Sequence, residues 1–585
     1  MWSLLSSVWL LAAGISGATA QFNNPEGVDI WCGKAYRAKD APFSPGGGFE
    51  EPTYSAAPLL RLLAKPRMTI YVASDSKASL LVDAGISHLL GEPIASKYAG
   101  ESKGSFASEA KVVIKSGNSI LATSAVQVGS TGNEIAFSLR SLAASTAPYN
   151  LTVTAKLVNG AVYTTSTALY HLPKPEDSRT VSRIDNLYGG LWYQRSTETK
   201  WTPFFPYTYY GKFFLLQWTL YWNSNVSTLD EFAAMGYNLI HIVPTGSLGE
   251  SPFPWDEFQP YLDRASELGI FFQYDVIYTP TNNATMLDQV TQLRSHPSIL
   301  LWYQSDEPDG KSWPLSANGL ARQAMWDLDP YHPSSLALNC YDFYYAEYGQ
   351  GGEVIISDVY PISTNTSWST VYETPCNATY GCCGCDDCHG AFEDISERID
   401  ENERRDGLLG WQKTQWAAPQ AFGNETFWTR YPTAAEEVVM ALLAVNHGAK
   451  GLVAWDFPTT GELSGITEKL AAVMTSSKIA SFLLEQPLTQ TLTVTGGSRV
   501  DASLWVDADA NEALLTVINL NYGDIAAAVQ VALPSGIQAT AVKDVLWGDV
   551  NWALSGQRWS SKGSVLTSSS GLLGLQVSMV VLKLH

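Results

Sequence analysis

From about residue 200 to residue 483 the chain alternates short apolar runs with amphipathic stretches, and this alternation limits the fold more than any other feature. The strand-like runs are 202–210, 237–244, 270–278, 299–307, 335–341, 353–361, 407–415 and 451–457. Helical patterns at 226–235, 258–268, 284–294, 315–328, 391–405 and 434–446 lie between them, and a last helix is expected over 466–483. Apolar strands joined by amphipathic crossovers build a parallel sheet with helices packed outside it. Eight such units in about 280 residues fit an α/β fold of the (β/α)8, or TIM-barrel, type. A doubly wound open sheet is the alternative. No Gly-x-Gly-x-x-Gly follows a strand, so nothing points to a nucleotide site or to any other cofactor.

The flanks read differently. Residues 21–178 and 486–585 carry short β-prone runs separated by Gly, Ser and Asn, the pattern of β-sandwiches. A chain of 585 residues exceeds what one core supports. The expected organisation is a leader at 1–20, an N-terminal sandwich at 21–178, a barrel at 179–485 and a C-terminal sandwich at 486–585, with 174–183 as a polar linker.

The leader is apolar and ends in Ala18-Thr19-Ala20, a small-x-small cleavage pattern, and its apolar centre is too short to span a bilayer. Six Asn-x-Ser/Thr sequons, at Asn150, Asn225, Asn283, Asn365, Asn377 and Asn424, agree with export. The apolar tail, 572–584, lacks a polar spacer and reads as a closing strand rather than a lipid-anchor signal. A net charge of −21 argues against a nucleic-acid partner, which needs clustered Lys and Arg. These features imply a secreted, extracellular or cell-wall-associated glycoprotein without a membrane span.

Of seven cysteines, Cys32 and Cys340 stand alone in sequence, while Cys376, Cys382, Cys383, Cys385 and Cys388 crowd together. In an exported chain that crowding implies a disulfide-stapled loop rather than a zinc site, with at least one thiol left over.

In a (β/α)8 barrel, chemistry sits where strands end and βα loops begin. Those ends offer Tyr209 on strand 1, His241 on strand 2, Asp275 and Tyr278 on strand 3, and Asp306 and Glu307 on strand 4. They continue with Asp358 and Tyr360 on strand 6, Trp416 and Gln420 on strand 7, and Trp455 and Asp456 on strand 8. Rings with acids and amides suit a carbohydrate ligand, because sugar CH faces stack on rings and hydroxyls bond to carboxylates and amides. The same residues have structural readings: His241 as a core histidine, Asp275 and Asp358 as helix caps, Trp455 as barrel filling. Glu307 stands apart, because two adjacent acids closing an apolar strand repel one another and are hard to explain by packing.

The stretch His-Pro-Ser-Ile-Leu-Leu-Trp-Tyr-Gln-Ser-Asp-Glu-Pro-Asp-Gly, 296–310, resembles the strand-4 signature of clan A glycoside hydrolases, most closely the family 2 β-glycosidases. In that family His-Pro-Ser-Ile leads to Trp and a terminal Asn-Glu whose Glu is the acid/base. The resemblance therefore implies glycoside hydrolysis with Glu307 as general acid, Asp306 standing where the family has Asn. It also implies a Glu nucleophile ending strand 7, where this chain has Gln412, Gln415 and Gln420 but no acid. Asp358, then Asp456, are the replacement candidates. A second carboxylate acting as nucleophile belongs roughly 5–5.5 Å from Glu307, and one acting as base roughly 6.5–9.5 Å. Alternatively Asp306 orients a substrate acetamide, as the adjacent acids of β-hexosaminidases do. The rival class is a non-catalytic carbohydrate-binding or cell-wall-associated protein with a decayed site.

The cysteine reading is testable at once. Elemental analysis of the purified protein is expected to find no stoichiometric zinc, and zinc that is present and lost with Cys385→Ser would overturn it.

Overall fold

The computed structural model describes residues 24–94, 109–211, 225–242, 255–276, 282–490, 492–555 and 563–585. The leader and Tyr278 lie outside the described residues. At the centre is a closed parallel barrel of eight strands: Tyr207–Gly211, Leu239–Ile242, Phe271–Asp275, Ile299–Asp306, Ser334–Leu338, Val354–Ser357, Thr414–Ala417 and Leu452–Phe457. They are called barrel strands 1 to 8 below. The closed circuit disposes of the open-sheet alternative.

Two sequence-predicted strands shift for local reasons. The run expected over 202–210 is divided at Pro206: Thr202–Phe204 leaves the barrel and pairs antiparallel with Leu191–Gln194, and only Tyr207–Gly211 joins the circuit. The run expected over 407–415 begins inside a helix, Glu393–Leu409, which Gly410 ends in a left-handed turn with φ 73°. Leu408 and Leu409 are thus the helix's last turn. The last expected helix is two, Gly461–Met474 and Ser477–Glu485, separated at Thr475 and Ser476.

The expected linker is likewise built in. Val181–Ile184, Leu191–Gln194 and Thr202–Phe204, with Leu191–Gln194 in the middle, form an antiparallel three-stranded sheet across the strands' N-terminal ends. Its Ile184, Leu191 and Phe204 pack on Leu239, Phe271 and Leu300, which start barrel strands 2, 3 and 4. This sheet covers the N-terminal end of the barrel.

Two β-rich units flank the barrel. On the N-terminal side, two four-stranded sheets share an apolar core that includes Leu80, Val112, Ile135 and Val153. On the C-terminal side, a five-stranded and a four-stranded sheet follow the barrel. The helix Ala434–Asn446 is buried on nearly every side, with a capping box of Thr433 and Glu436 at its start. Such a helix is apolar all round because it has no solvent face. Trp505, Leu514, Ile518 and Met579 of the C-terminal sheet share its core.

His447, just past that helix, ties the two units. Its Nδ1 lies 2.8 Å from Asp400 of the barrel and its Nε2 3.1 Å from Asp501 of the C-terminal sheet. Burial alone would lower the imidazole's pKa, but the hydrogen bonds to Asp400 and Asp501 outweigh it and hold it at about 9. A folded-state pKa above the unfolded 6.5 gives stability fully present below 6.5 and lost as pH rises through about 9. His447→Gln is therefore expected to lower the melting temperature at pH 6 by roughly 2–4 °C and to have little effect at pH 10. Equal losses at both pH values in calorimetry would show that the charge is not what binds.

Candidate active site

The site assembles around the loop after barrel strand 4. The apolar run Ile299–Tyr303 is buried without exception, so the chain reaches the rim as a rigid element. There Glu307 adopts a left-handed backbone with φ 46°. That conformation disfavours a side chain bearing Cβ and persists only where the surroundings enforce it. Asp309 supplies that enforcement: fully inside, it accepts hydrogen bonds from Gly310 N (2.9 Å), Cys340 N (2.8 Å) and Asn339 N (3.3 Å). The acidic loop is thereby fastened to the end of barrel strand 5.

Glu307 and Asp358 meet. Their carboxyls are hydrogen-bonded to one another, and Asn339 Nδ2 donates to Glu307 Oε1 at 3.0 Å. Burial first, then the charge of Asp306, push Glu307 up to about 8. Burial, then Glu307 itself, raise Asp358 well above the usual carboxylate range. The two carboxyls therefore titrate as an interacting pair rather than independently.

Asp306 has the opposite character. It is one-third exposed; Lys311 Nζ lies 2.8 Å from its Oδ2, and the Tyr303 hydroxyl donates to its Oδ1 at 2.9 Å. Burial resists its charge, but the Lys311 ammonium and these hydrogen bonds prevail and hold it below the ordinary Asp value. Tyr210 extends the chain inward, donating to Tyr303 at 2.8 Å. Neighbouring carboxyls with pKa values driven apart form an acid–base division of labour.

Beneath them lie His241 and Asp275, both buried, with Nε2 and Oδ2 3.6 Å apart. Among the described residues, neither ring nitrogen of His241 has a hydrogen-bond partner, nor does Asp275 Oδ1 or Asp358 Oδ1. Burial raises Asp275 to about 6 against the opposing influence of His241. Unsatisfied polar atoms gathered at one mouth are what a hydroxyl-rich ligand would satisfy. Tyr360 and Trp455 border this group, Trp455 packing on the Tyr210 ring at 5.1 Å. Asp456 is buried at the end of barrel strand 8.

Three expected contact residues point elsewhere. Tyr209 faces the helix layer and its hydroxyl pairs with Thr467 Oγ1 at 2.7 Å. Trp416 is wholly buried in the barrel interior, close against Gly451. Gln420 is also fully buried; it holds both the N–H and the carbonyl of Ile362, stapling the loops after strands 6 and 7. Alternation along a strand puts every second side chain outside the barrel, and short strands make that phase hard to read. Gln415, at the place of the missing acid, is engaged with Asp406 Oδ2 at 3.0 Å.

Sequence reasoning missed Lys311, Asn339, Trp31 and Trp428. Lys311 was legible as the basic residue four positions past the acid. The half-buried Trp428 packs on the buried rings of Tyr360 and Phe422, its indole donating to Tyr360 O at 3.0 Å. Residues 376–388 form two disulfides, Cys376–Cys383 and Cys385–Cys388, which consumes the Cys385 and Cys388 thiols as metal ligands. Cys382 is the free thiol, pushed up to about 11 by burial. Cys32 and Cys340 do not stand alone but pair with each other.

Solved structures with similar architecture include glycoside hydrolases. A β-glucuronidase from Parabacteroides merdae is 9% identical, covers 90% of this chain and 74% of its own, and superposes with a TM-score of 0.30. A glycosyl hydrolase family 2 member from Bacteroides cellulosilyticus is 9% identical over 89% of this chain and 74% of its own, with a TM-score of 0.31. An α-amylase from Geobacillus thermoleovorans is 10% identical over 61% of this chain and 91% of its own, with a TM-score of 0.40. Likenesses this distant bear on no individual residue. No protein-family model matches the chain, and no curated protein sequence matches it.

Lys311→Met is expected to remove the largest opposition to burial at Asp306, so that this carboxyl protonates at a higher pH than in the native protein. Carbon-detected NMR of labelled Asp side chains measures the change; an Asp306 midpoint that stays in place would contradict the ion pair's role.

Proposed function

We propose that this protein is a secreted glycoside hydrolase acting on the O-glycosidic bonds of an extracellular oligo- or polysaccharide, with Glu307 as general acid. The observation that carries the reading is the half-buried Glu307 at the end of barrel strand 4, pushed up to about 8, beside Asp306, which the Lys311 ammonium 2.8 Å away holds below the ordinary Asp value. A general acid works best when its pKa lies near the operating pH. Asp358 supports it by titrating as a pair with it. Asp306, kept anionic by Lys311, is the group suited to stabilise positive charge developing at the anomeric carbon. Trp428, Tyr360 and Trp455 offer ring faces for the sugar, and His241 and Asp275 offer unpaired polar atoms for its hydroxyls. All six sequon asparagines are exposed, which suits an exported glycoprotein.

A second reading has its own observation. An ionised Asp306 immediately before a protonated Glu307 is the arrangement needed for a substrate acetamide to be oriented by the aspartate while the glutamic acid protonates the leaving oxygen. It requires no further carboxylate, which agrees with the amide-only end of strand 7. In that case only 2-acetamido sugars react, and Asp306→Asn is the more damaging change. A non-catalytic sugar-binding role would instead leave the Glu307–Asp358 pair without a task.

Glu307→Gln keeps the shape of the side chain but has no proton to give. It is expected to lower kcat by about 10²–10⁴-fold, with a smaller loss on substrates bearing good leaving groups. Because Glu307 works protonated, the rate of the native enzyme should fall as pH rises through about 8. Undiminished turnover by Glu307→Gln, on a glycoside that the native protein cleaves, would end the hydrolase assignment for this residue.

A further inference from the structure

The strands Ile30–Trp31 and Lys34–Ala35 form a two-residue hairpin whose turn, Cys32-Gly33, is left-handed at both positions (φ 51° and 70°). This hairpin is fastened across the rim beside Glu307. Cys32 is bonded to Cys340 at the end of barrel strand 5. Lys34 pairs with Asp386 and Asp387 of the cysteine-rich insertion, each at 2.8 Å, and Gly381 N donates to Ala35 O at 3.0 Å. The Trp31 ring lies on Gly310, where an added Cβ would come within 2.5 Å of it. Gly310 belongs to the same loop as Glu307.

Trp31 also reaches the acid through one intermediary. Its Nε1 donates to Asn339 Oδ1 at 2.9 Å, and Asn339 Nδ2 donates to Glu307 Oε1 at 3.0 Å. An indole N–H can only donate, so it compels Asn339 to turn its oxygen toward Trp31 and its NH2 toward the carboxyl. Without the indole, the amide is free to rotate and present oxygen to Glu307, a partner only the protonated acid can use. We propose that Trp31, acting through Asn339, is a positioning residue for Glu307, and that the N-terminal hairpin is thereby a working part of the site. This deepens the reading of Glu307 as the acid and rests on it.

The groups that face Glu307 are Asp306, Asp309 and Lys311 from its own loop, Asp358 and Tyr360 from the end of strand 6, and Cys382 from the insertion. Asn339 is the neutral donor among them. Losing its fixed N–H favours the protonated form, so Glu307 should titrate at higher pH.

The test uses the full chain with carbon-labelled Glu carboxyls, Glu307→Gln assigning the signal. In Trp31→Phe the Glu307 midpoint is expected to rise by roughly one unit. The basic limb of kcat/KM should move with it on any glycoside the native protein cleaves, and kcat should fall about tenfold with KM little changed. Asn339→Leu should give the same upward shift, and adding Trp31→Phe to it should change nothing more, since both changes break one chain of contacts. Cys32→Ser with Cys340→Ser, which loosens the hairpin with Trp31 intact, should shift the midpoint in the same direction. An unmoved midpoint in Trp31→Phe, or shifts from Trp31→Phe and Asn339→Leu that add in full, would overturn the proposal. If the midpoint moves as expected but no glycoside is cleaved by the native protein, the hydrolase reading fails and the positioning role stands.

Discussion

Two carboxyls pressed together away from water cannot both be charged, and the rim of this barrel is organised around that constraint. Glu307 and Asp358 share a hydrogen bond, and one ammonium, Lys311, stands nearby. That ammonium is engaged with Asp306, so it cannot neutralise the pair behind it. The pair therefore keeps a proton at a pH where isolated carboxyls have lost theirs, while Asp306, a single residue away, is ionised. Sequence adjacency joins the two charge states; the difference arises because one side chain meets a cation and a phenol and the other meets a second acid.

The surroundings serve the same end. The sheet across the bottom covers the barrel's N-terminal end, and the unsatisfied atoms of His241, Asp275 and Asp358 gather at the other. Asp309 spends its oxygens on backbone N–H groups and so holds the loop in which Glu307 takes a left-handed backbone. The helix Ala434–Asn446 locks the barrel to the C-terminal sheet through apolar contact, with His447 adding a charged tie at its end. Rigidity at the rim thus comes from three different interactions: apolar packing, backbone hydrogen bonding and a disulfide.

How much of this could be read from the sequence depends on how local each determinant is. The barrel was legible because most of its strands are apolar runs bounded by breakers, and Glu307 stood out because it ends such a run abruptly. Strand ends were less so: Pro206 moves the start of strand 1, and the apolar Leu408-Leu409 pair belongs to a helix that Gly410 terminates. Tyr209, Trp416 and Gln420 have the residue types of a sugar site, but Tyr209 has the outward phase, Trp416 fills the barrel interior and Gln420 is spent on the backbone of Ile362. The partnership of Glu307 with Asp358 was named, but the mutual influence of the two on their titration was not, since that depends on two loops meeting. Trp31, Asn339 and the Cys32–Cys340 bond were invisible, because nothing local to residue 31 indicates a partner at 339.

That last separation has a consequence during synthesis. Cys32 and Cys340 lie 308 residues apart, so the hairpin leaves the ribosome long before the strand end it must join. At about 5–20 residues per second the interval is roughly 15–60 s. Throughout it Cys32 lacks its native partner, and the first site element to be made waits for the end of barrel strand 5 before it can dock. Its other anchors, at Tyr380 and Asp386, emerge later still. The closing of the acid's surroundings is therefore deferred until most of the barrel has been translated, and a chain stopped before residue 340 carries the acid loop without the segment that covers it.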